Sequence, residues 1–330
     1  MKKLTDRRII PHVLFELTNK CNLQCIHCYV VDEKRKELTT QEVIDVLRQC
    51  KELGVMFMTF TGGEILTRKD FFKIALEAKM LNFVLRLKTN GTLIDAEAAD
   101  RIKQLNPICV DLSIYGKDAE TYQKMTGHGD SYKKLMKAVD LLKERKISMV
   151  VGFPLIKQTE SQYIYLKKVF RNRRIRFRPY FQITPASDGS REPLRCLLDR
   201  ESLKRHMKID KNHIFQSKNR DTELCYAGIK SITISAYGEV FPCVDLRVSQ
   251  GNVLEQPLKV ILQNSKAIYI RKSMESLKLK YCLACELSKY CIICPAYAVN
   301  IDSKQLRNKE TIMCKMASVR KEIIERGGQD

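Results

Sequence analysis

Three cysteines stand within eight residues, Cys21-Asn-Leu-Gln-Cys25-Ile-His-Cys28. Thiolates spaced C-x3-C-x2-C on one loop can hold three irons of a 4Fe-4S cubane and leave the fourth without a protein ligand. An iron with an open position can bind and activate a small molecule, whereas a fully ligated cluster only passes electrons. A zinc knuckle is the competing use of the same three thiols. Seven more cysteines form a second pattern: Cys225-x12-Gly238-x4-Cys243, then Cys282-x2-Cys285-x5-Cys291-x2-Cys294, then Cys314. Two zinc ribbons could be built from these. Cys50, Cys109 and Cys196 lie outside both patterns. Cys50 and Cys109 read as buried small hydrophobes, while Cys196 is a spare ligand or a hydrogen donor.

The elements that must position the first motif are βα units. Strand-like runs fall at Val13–Leu17, Met56–Phe60, Val84–Lys88, Val110–Ile114, Ser148–Gly152 and Arg176–Tyr180. Between them lie helical patterns from Thr40 to Leu53, Asp70 to Leu81, Asp95 to Leu105, Ser131 to Arg145 and Glu160 to Phe170. Strand and helix in alternation predict a parallel sheet. Six units are fewer than the eight that close a barrel, so the expected fold is α/β, a partial (β/α)6 TIM-type barrel with its active face at the strand C-termini. A small cysteine-rich domain with a β-hairpin, read in Ile232–Phe241, and helices follows it. The domain reading is a barrel over 1–186, a linker and helical segment over 187–224, and a cysteine-rich domain over 225–330.

Further candidates sit at the strand ends. Thr61-Gly62-Gly63-Glu64 follows the second strand; glycines there permit close backbone approach to a ligand, and a carboxylate can receive an ammonium group. Thr89-Asn90-Gly91-Thr92 ends the third strand and Ser113 the fourth. Turn chemistry alone also accounts for both.

Together these motifs resemble the radical S-adenosylmethionine (AdoMet) superfamily. The resemblance implies that Cys21, Cys25 and Cys28 hold a cluster whose vacant iron chelates the methionine moiety of AdoMet. Gly62, Gly63, Glu64, Thr89, Asn90 and Ser113 are then the AdoMet contacts, with His27 stacked on adenine. Reductive cleavage would give a 5'-deoxyadenosyl radical that abstracts hydrogen from substrate. Two positions depart from the pattern: His27 where an aromatic residue is usual, and Tyr115 where an acidic one is common.

The C-terminal cysteines resemble the SPASM extension of peptide, sulfatase and quinone-precursor maturases, with two residues rather than three between Cys291 and Cys294. That resemblance implies two auxiliary 4Fe-4S clusters, three in all. Cys282, Cys285, Cys291 and Cys314 would ligate the outer one, and Cys225, Cys243 and Cys294 the inner one. No cysteine lies between Ala227 and Ile232, so the inner cluster has an open iron or takes Cys196.

The expected function is oxidative modification of a peptide, a thioether or carbon–carbon cross-link, in natural-product maturation. Small-molecule or cofactor-pathway oxidation and sulfatase maturation are the alternatives within the superfamily. A non-catalytic electron-transfer or zinc protein is the alternative outside it. The expected partners are a peptide with a leader, a separate recognition protein, since the first strand begins about ten residues in, and an electron donor such as flavodoxin or ferredoxin.

Composition sets outer bounds. The 330 residues carry 13 cysteines and a formal charge of +21. Clustered cysteines in an odd number read as metal ligands in a reducing compartment rather than disulfides. No apolar run reaches membrane-span length and Met1–Arg8 lacks a signal-peptide core, so a cytoplasmic protein is expected. The positive charge suits an acidic partner. The densest basic run, Arg171–Arg178, matches no nucleic-acid motif and reads as a barrel rim or strand edge.

Overall fold

A computed structural model describes residues 10–210, 225, 227–263, 278–292, 294, 296–297 and 311–326. Residues 1–9, which include the segment Met1–Arg8 read for a signal peptide, and residues 211–224 of the predicted linker lie outside them.

The chain divides into two compact units. The first contains residues 1–196 and 228–265, the second 197–227 and 266–330.

The first unit is the partial barrel. Its strands β1 (His12–Thr18), β2 (Phe57–Gly62), β3 (Val84–Thr89), β4 (Cys109–Ser113), β5 (Met149–Pro154) and β6 (Arg176–Tyr180) are parallel neighbours in sequence order. The helices between them are α1 (Thr40–Glu52), α2 (Phe71–Met80), α3 (Ala96–Leu105), α4 (Ala119–Thr126), α5 (Ser131–Glu144) and α6 (Tyr163–Asn172). Each strand alternates its side chains between faces. Val13, Phe15 and Leu17 of β1, Met58 and Phe60 of β2, and Leu85 and Leu87 of β3 are buried against the helices. Burying each such side chain contributes roughly 1.5–3 kcal/mol. Helix starts are fixed locally. Thr39 and Glu42 form a reciprocal capping box on α1, and Asp95 and Asp118 accept from the third backbone N–H of α3 and α4.

The hairpin expected with the cysteine-rich domain belongs instead to this sheet. Strand β7 (Ser231–Ile234) runs parallel to β1, and β8 (Val240–Phe241) returns antiparallel to it, giving the order β6-β5-β4-β3-β2-β1-β7-β8. β1 is therefore an interior strand, covered on both edges. Helix α8 (Leu258–Gln263) packs with this unit, where the Leu258 N–H donates to Gln49 on α1 at 2.7 Å.

The second unit holds α7 (Arg200–Ile209), a short α9 (Lys278–Leu283) and α10 (Ile312–Arg326). Leu287, Tyr290 and Ala317 form its apolar centre, with Cys285, Cys291 and Ile324 packed against them. Glu322 on α10 accepts from Arg200 at 2.9 Å and Lys204 at 2.5 Å, both on α7. No helix among the described residues is long and apolar enough to cross a membrane.

Candidate functional site

The cysteine loop leaves β1 and is held from two sides. Backbone N–H groups of Gln24 and Ile26 donate to the carbonyls of Thr126 and Met125, at 2.9 and 3.1 Å, at the end of α4. The Cys28 N–H donates to the Cys25 carbonyl at 3.0 Å. Helix α4 has no counterpart among the helices read from the sequence, because its eight residues fall within what looks like one β4–α5 connection.

The other support is the glycine pair. Gly62 has φ +135°, and a Cβ there would lie 2.1 Å from the Thr18 carbonyl oxygen; one on Gly63 would lie 2.2 Å from that of Lys20. The Gly63 N–H donates to the Thr18 carbonyl at 2.7 Å and the Glu64 N–H to that of Lys20 at 2.9 Å. The sequence reading assigned these glycines to close approach of a ligand. In the structure the backbone that comes close is the stretch leading into Cys21, so the pair seats the cysteine loop.

Glu64 is fully buried. Its carboxylate accepts from Thr89 Oγ1 at 2.7 Å, Asn90 N at 2.7 Å and Leu66 N at 3.1 Å. Burial raises its pKa, opposed by these three donors. The expected ammonium acceptor is thus already the tie between the ends of β2 and β3. Thr89 Oγ1 in turn accepts from Gly91 N at 3.0 Å. The amide of Asn90 reaches Asn22 Oδ1 at 3.0 Å and Cys21 Sγ at 3.9 Å, so the third strand's end touches the cysteine loop directly.

The three thiols fit a thiolate-held cluster. The Leu23 N–H lies 3.4 Å from Cys21 Sγ, a backbone donor at Val30 serves Cys28, and the Tyr115 side chain serves Cys25. Donors aimed at sulfur favour the charged thiolate. Burial raises all three thiol pKa values, and for Cys21 and Cys25 neighbouring thiols raise them further. Metal binding would displace these protons. Among the described residues no three His, Cys, Asp or Glu side chains converge on a single-ion position.

His27 packs against Tyr115 with ring centroids 5.3 Å apart, and its buried Nδ1 has no partner. Burial lowers its pKa to about 4. Ser113 hydrogen-bonds the Tyr115 side chain, which burial and the nearby Cys25 hold well above the usual phenol range. Tyr180 on β6, missed by the sequence reading, has its phenol raised by burial, Cys25 and Cys28. Cys196 belongs to this unit and is buried with Sγ 4.0 Å from the Ile26 carbonyl. Cys50 and Cys109 are buried, as small hydrophobes would be.

In the second unit Cys285 and Cys314 each stand near both Cys282 and Cys291, which also neighbour one another. Burial, then Cys314 and Cys285, push Cys282 up to about 11; burial, then Cys314 and Cys282, push Cys291 up to about 12. Arg320, 1% exposed, lies beside Cys291 and donates to the Tyr290 carbonyl at 3.0 Å. Of the other three, Cys225 and Cys294 belong to the second unit and Cys243 to the first.

The radical SAM superfamily model matches residues 15–168, and an iron-sulfur cluster-binding domain model, SPASM, matches residues 225–286. The second match takes in Cys225, Cys243, Cys282 and Cys285. An AdoMet-dependent heme synthase of Methanosarcina barkeri is 26% identical over 319 residues, 87% of this chain and 91% of that protein. The subtilosin biosynthesis protein AlbA of Bacillus subtilis is 24% identical over 90% of this chain and 70% of its own. Streptococcus suis SuiB, solved with its precursor peptide SuiA, superposes with a TM-score of 0.71 over 89% of this chain and 74% of that one, at 19% identity. At that identity the likeness concerns the fold. The cysteine loop, the strand-end network and the two matching models agree, and the chain is a radical SAM enzyme with a SPASM iron-sulfur domain.

Proposed function

We propose that this enzyme abstracts hydrogen from a peptide substrate and completes an oxidative modification, a thioether or carbon–carbon cross-link. The observation that carries the radical half is the convergence of Cys21, Asn22, Glu64, Thr89 and Asn90 in one network at the ends of β1, β2 and β3. AdoMet, when bound and reduced at the cluster, would supply the hydrogen-abstracting chemistry. Residues of this chain would orient it. Glu64 and Asn90 hold the strand ends in register with the cysteine loop, Gly62 and Gly63 seat that loop, and His27 and Tyr115 offer ring surface beside Cys25. Cys21, Cys25 and Cys28 would ligate the first 4Fe-4S cluster, and Cys282, Cys285, Cys291 and Cys314 an auxiliary one. The auxiliary set would take the one electron left over when the substrate radical closes its new bond and a single proton leaves, the first hydrogen having gone as an atom.

The peptide assignment is supported by AlbA, similar over 90% of this chain. A second reading, a cofactor-pathway reaction on a tetrapyrrole, is favoured by the heme synthase, similar over most of both chains. The test is incubation of reduced enzyme and AdoMet with short cysteine-containing peptides encoded beside the gene. Loss of a hydrogen pair from one peptide, matched by 5'-deoxyadenosine, supports the first reading. Turnover of a tetrapyrrole carboxylate with every peptide unchanged replaces it with the second.

A further inference from the structure

The sheet face away from the helices is polar and basic. β3 directs Arg86 and Lys88 to it, alternating with buried Leu85 and Leu87. β6 directs Arg176 and Arg178, alternating with Phe177, which stacks on Phe153 and Phe170 on the helix side. The strand register sets these cations across from one another. Lys88 pairs with Asp111, Asp111 with Val150, and Val150 with Arg176; Ser113 pairs with Gly152, and Gly152 with Arg178. Gly152 puts no side chain between Ser113 and Arg178.

The carboxylates near this face are largely committed. Asp111 holds Arg86 at 2.9 and 3.3 Å, Glu16 holds Arg247 at 2.5 and 3.0 Å, and Asp245 accepts from Thr184 at 2.7 Å. Five cations therefore meet three carboxylates. Lys88, Arg176 and Arg178 are exposed, and among the described residues none has a carboxylate within 4.0 Å. Lys88 is reached by solvent yet ringed by protein: that desolvation, opposed by Asp111 and Asp245 and reinforced by Arg178 and Arg86, holds its pKa below the usual lysine value. Like charges gathered in a concave site attract an anion. At the N-terminal end of the same face, Phe57 and Val84 are register partners, 41% and 38% exposed, and supply an apolar floor.

Lys88 immediately precedes Thr89 of the strand-end network, and Arg178 stands two residues before Tyr180, which neighbours Cys25 and Cys28. The two cations thus stand one and two residues along their strands from the candidate reaction centre. We infer that Lys88 and Arg178, backed by Arg176, form a carboxylate-recognition site for a substrate with an apolar body and at least two carboxylates. This inference rests on the functional reading above. Acidic side chains of a peptide and the acid arms of a tetrapyrrole present the same chemistry.

The test is equilibrium binding to the reconstituted protein. The probes are a short dansyl peptide alternating glutamate and leucine with its glutamine–leucine counterpart, and a porphyrin tetracarboxylate with its neutral tetraester. Wild type should bind at least one acidic probe roughly tenfold to a hundredfold more tightly than its neutral partner, in a salt-dependent manner. Preference within the peptide pair identifies a peptide, and preference within the porphyrin pair a tetrapyrrole. Lys88→Gln with Arg178→Gln should abolish the preference, and Lys88→Glu should turn it against the acidic probe; far-ultraviolet circular dichroism checks that each variant folds. Equal binding of acidic and neutral probes by wild type, or a preference that survives the double substitution, overturns the inference. Formation of 5'-deoxyadenosine by the same wild-type preparation without probe reports on the functional reading separately. Its absence sinks that reading whatever the probes show.

Discussion

Replacing Gly63 by alanine tests whether the glycine pair serves the cysteine loop or a ligand. The new methyl would meet the Lys20 carbonyl oxygen at 2.2 Å, its carbon at 2.7 Å and the Asn19 oxygen at 2.8 Å, all of them backbone. Restoring ordinary contact requires a shift of roughly 1 Å, which overpacking data price at about 1–3 kcal/mol. The same shift strains the bonds from Gly63 N to Thr18 and Glu64 N to Lys20, at roughly 1 kcal/mol each. The total, about 3–5 kcal/mol, is a large part of the ~5–15 kcal/mol that stabilises a typical domain. Cys21 follows Lys20 directly, so the displacement reaches the first cluster ligand. Gly63→Ala should therefore lose the same iron as the Cys21/Cys25/Cys28 triple alanine variant and unfold at lower temperature. A variant with full iron, wild-type thermal midpoint and weakened AdoMet binding would return these glycines to the ligand and refute the reasoning.

Glu64→Gln keeps one acceptor oxygen but sets an amide N–H2 against a donor; we expect a loss of about 1.5–3 kcal/mol, read as a lower thermal midpoint together with weaker AdoMet binding. Unchanged values for both would contradict the network. Glu322 has its pKa pushed down to about 2 by Lys204 and Arg200. A depressed carboxylate pKa gives stability that is complete above its unfolded value, near 4.3, and is lost as pH falls toward 2. Glu322→Gln should therefore flatten the acid side of the pH–stability curve over that window, and an unaltered slope would be the wrong result. Arg320→Gln removes a buried cation beside Cys291 and should lower the midpoint potential of an auxiliary cluster with iron content retained; an unchanged potential would dissociate Arg320 from the cluster.

Much of the barrel was legible because its strands are apolar runs at regular spacing. All six predicted parallel strands overlap observed ones, since the burial that makes them strands also writes Val, Ile, Leu and Phe into them. Three features were not legible. Helix α4 is short and polar, and its value lies in two carbonyls presented to the cysteine loop, which leave no side-chain signature. The Ile232–Phe241 hairpin was readable as a hairpin, but its partner β1 lies more than 200 residues away, a pairing no local pattern records. The contacts that Gly62, Gly63 and Glu64 make within the chain were not legible for a related reason. A motif states which residues stand near a ligand, whereas the contacts of Gly63 with Lys20 and of Glu64 with Thr89 and Asn90 exist only in the folded chain. Cys196, weighed as a spare ligand or a hydrogen donor, is buried with its sulfur beside the Ile26 carbonyl of the first loop.

The most direct test is anaerobic reconstitution followed by reduction with dithionite in the presence of AdoMet. Wild type should bind about twelve irons per chain and form 5'-deoxyadenosine, whereas the Cys21/Cys25/Cys28 triple alanine variant should retain about eight and form none. Equal 5'-deoxyadenosine from both proteins, or stoichiometric zinc in place of iron, would contradict the account.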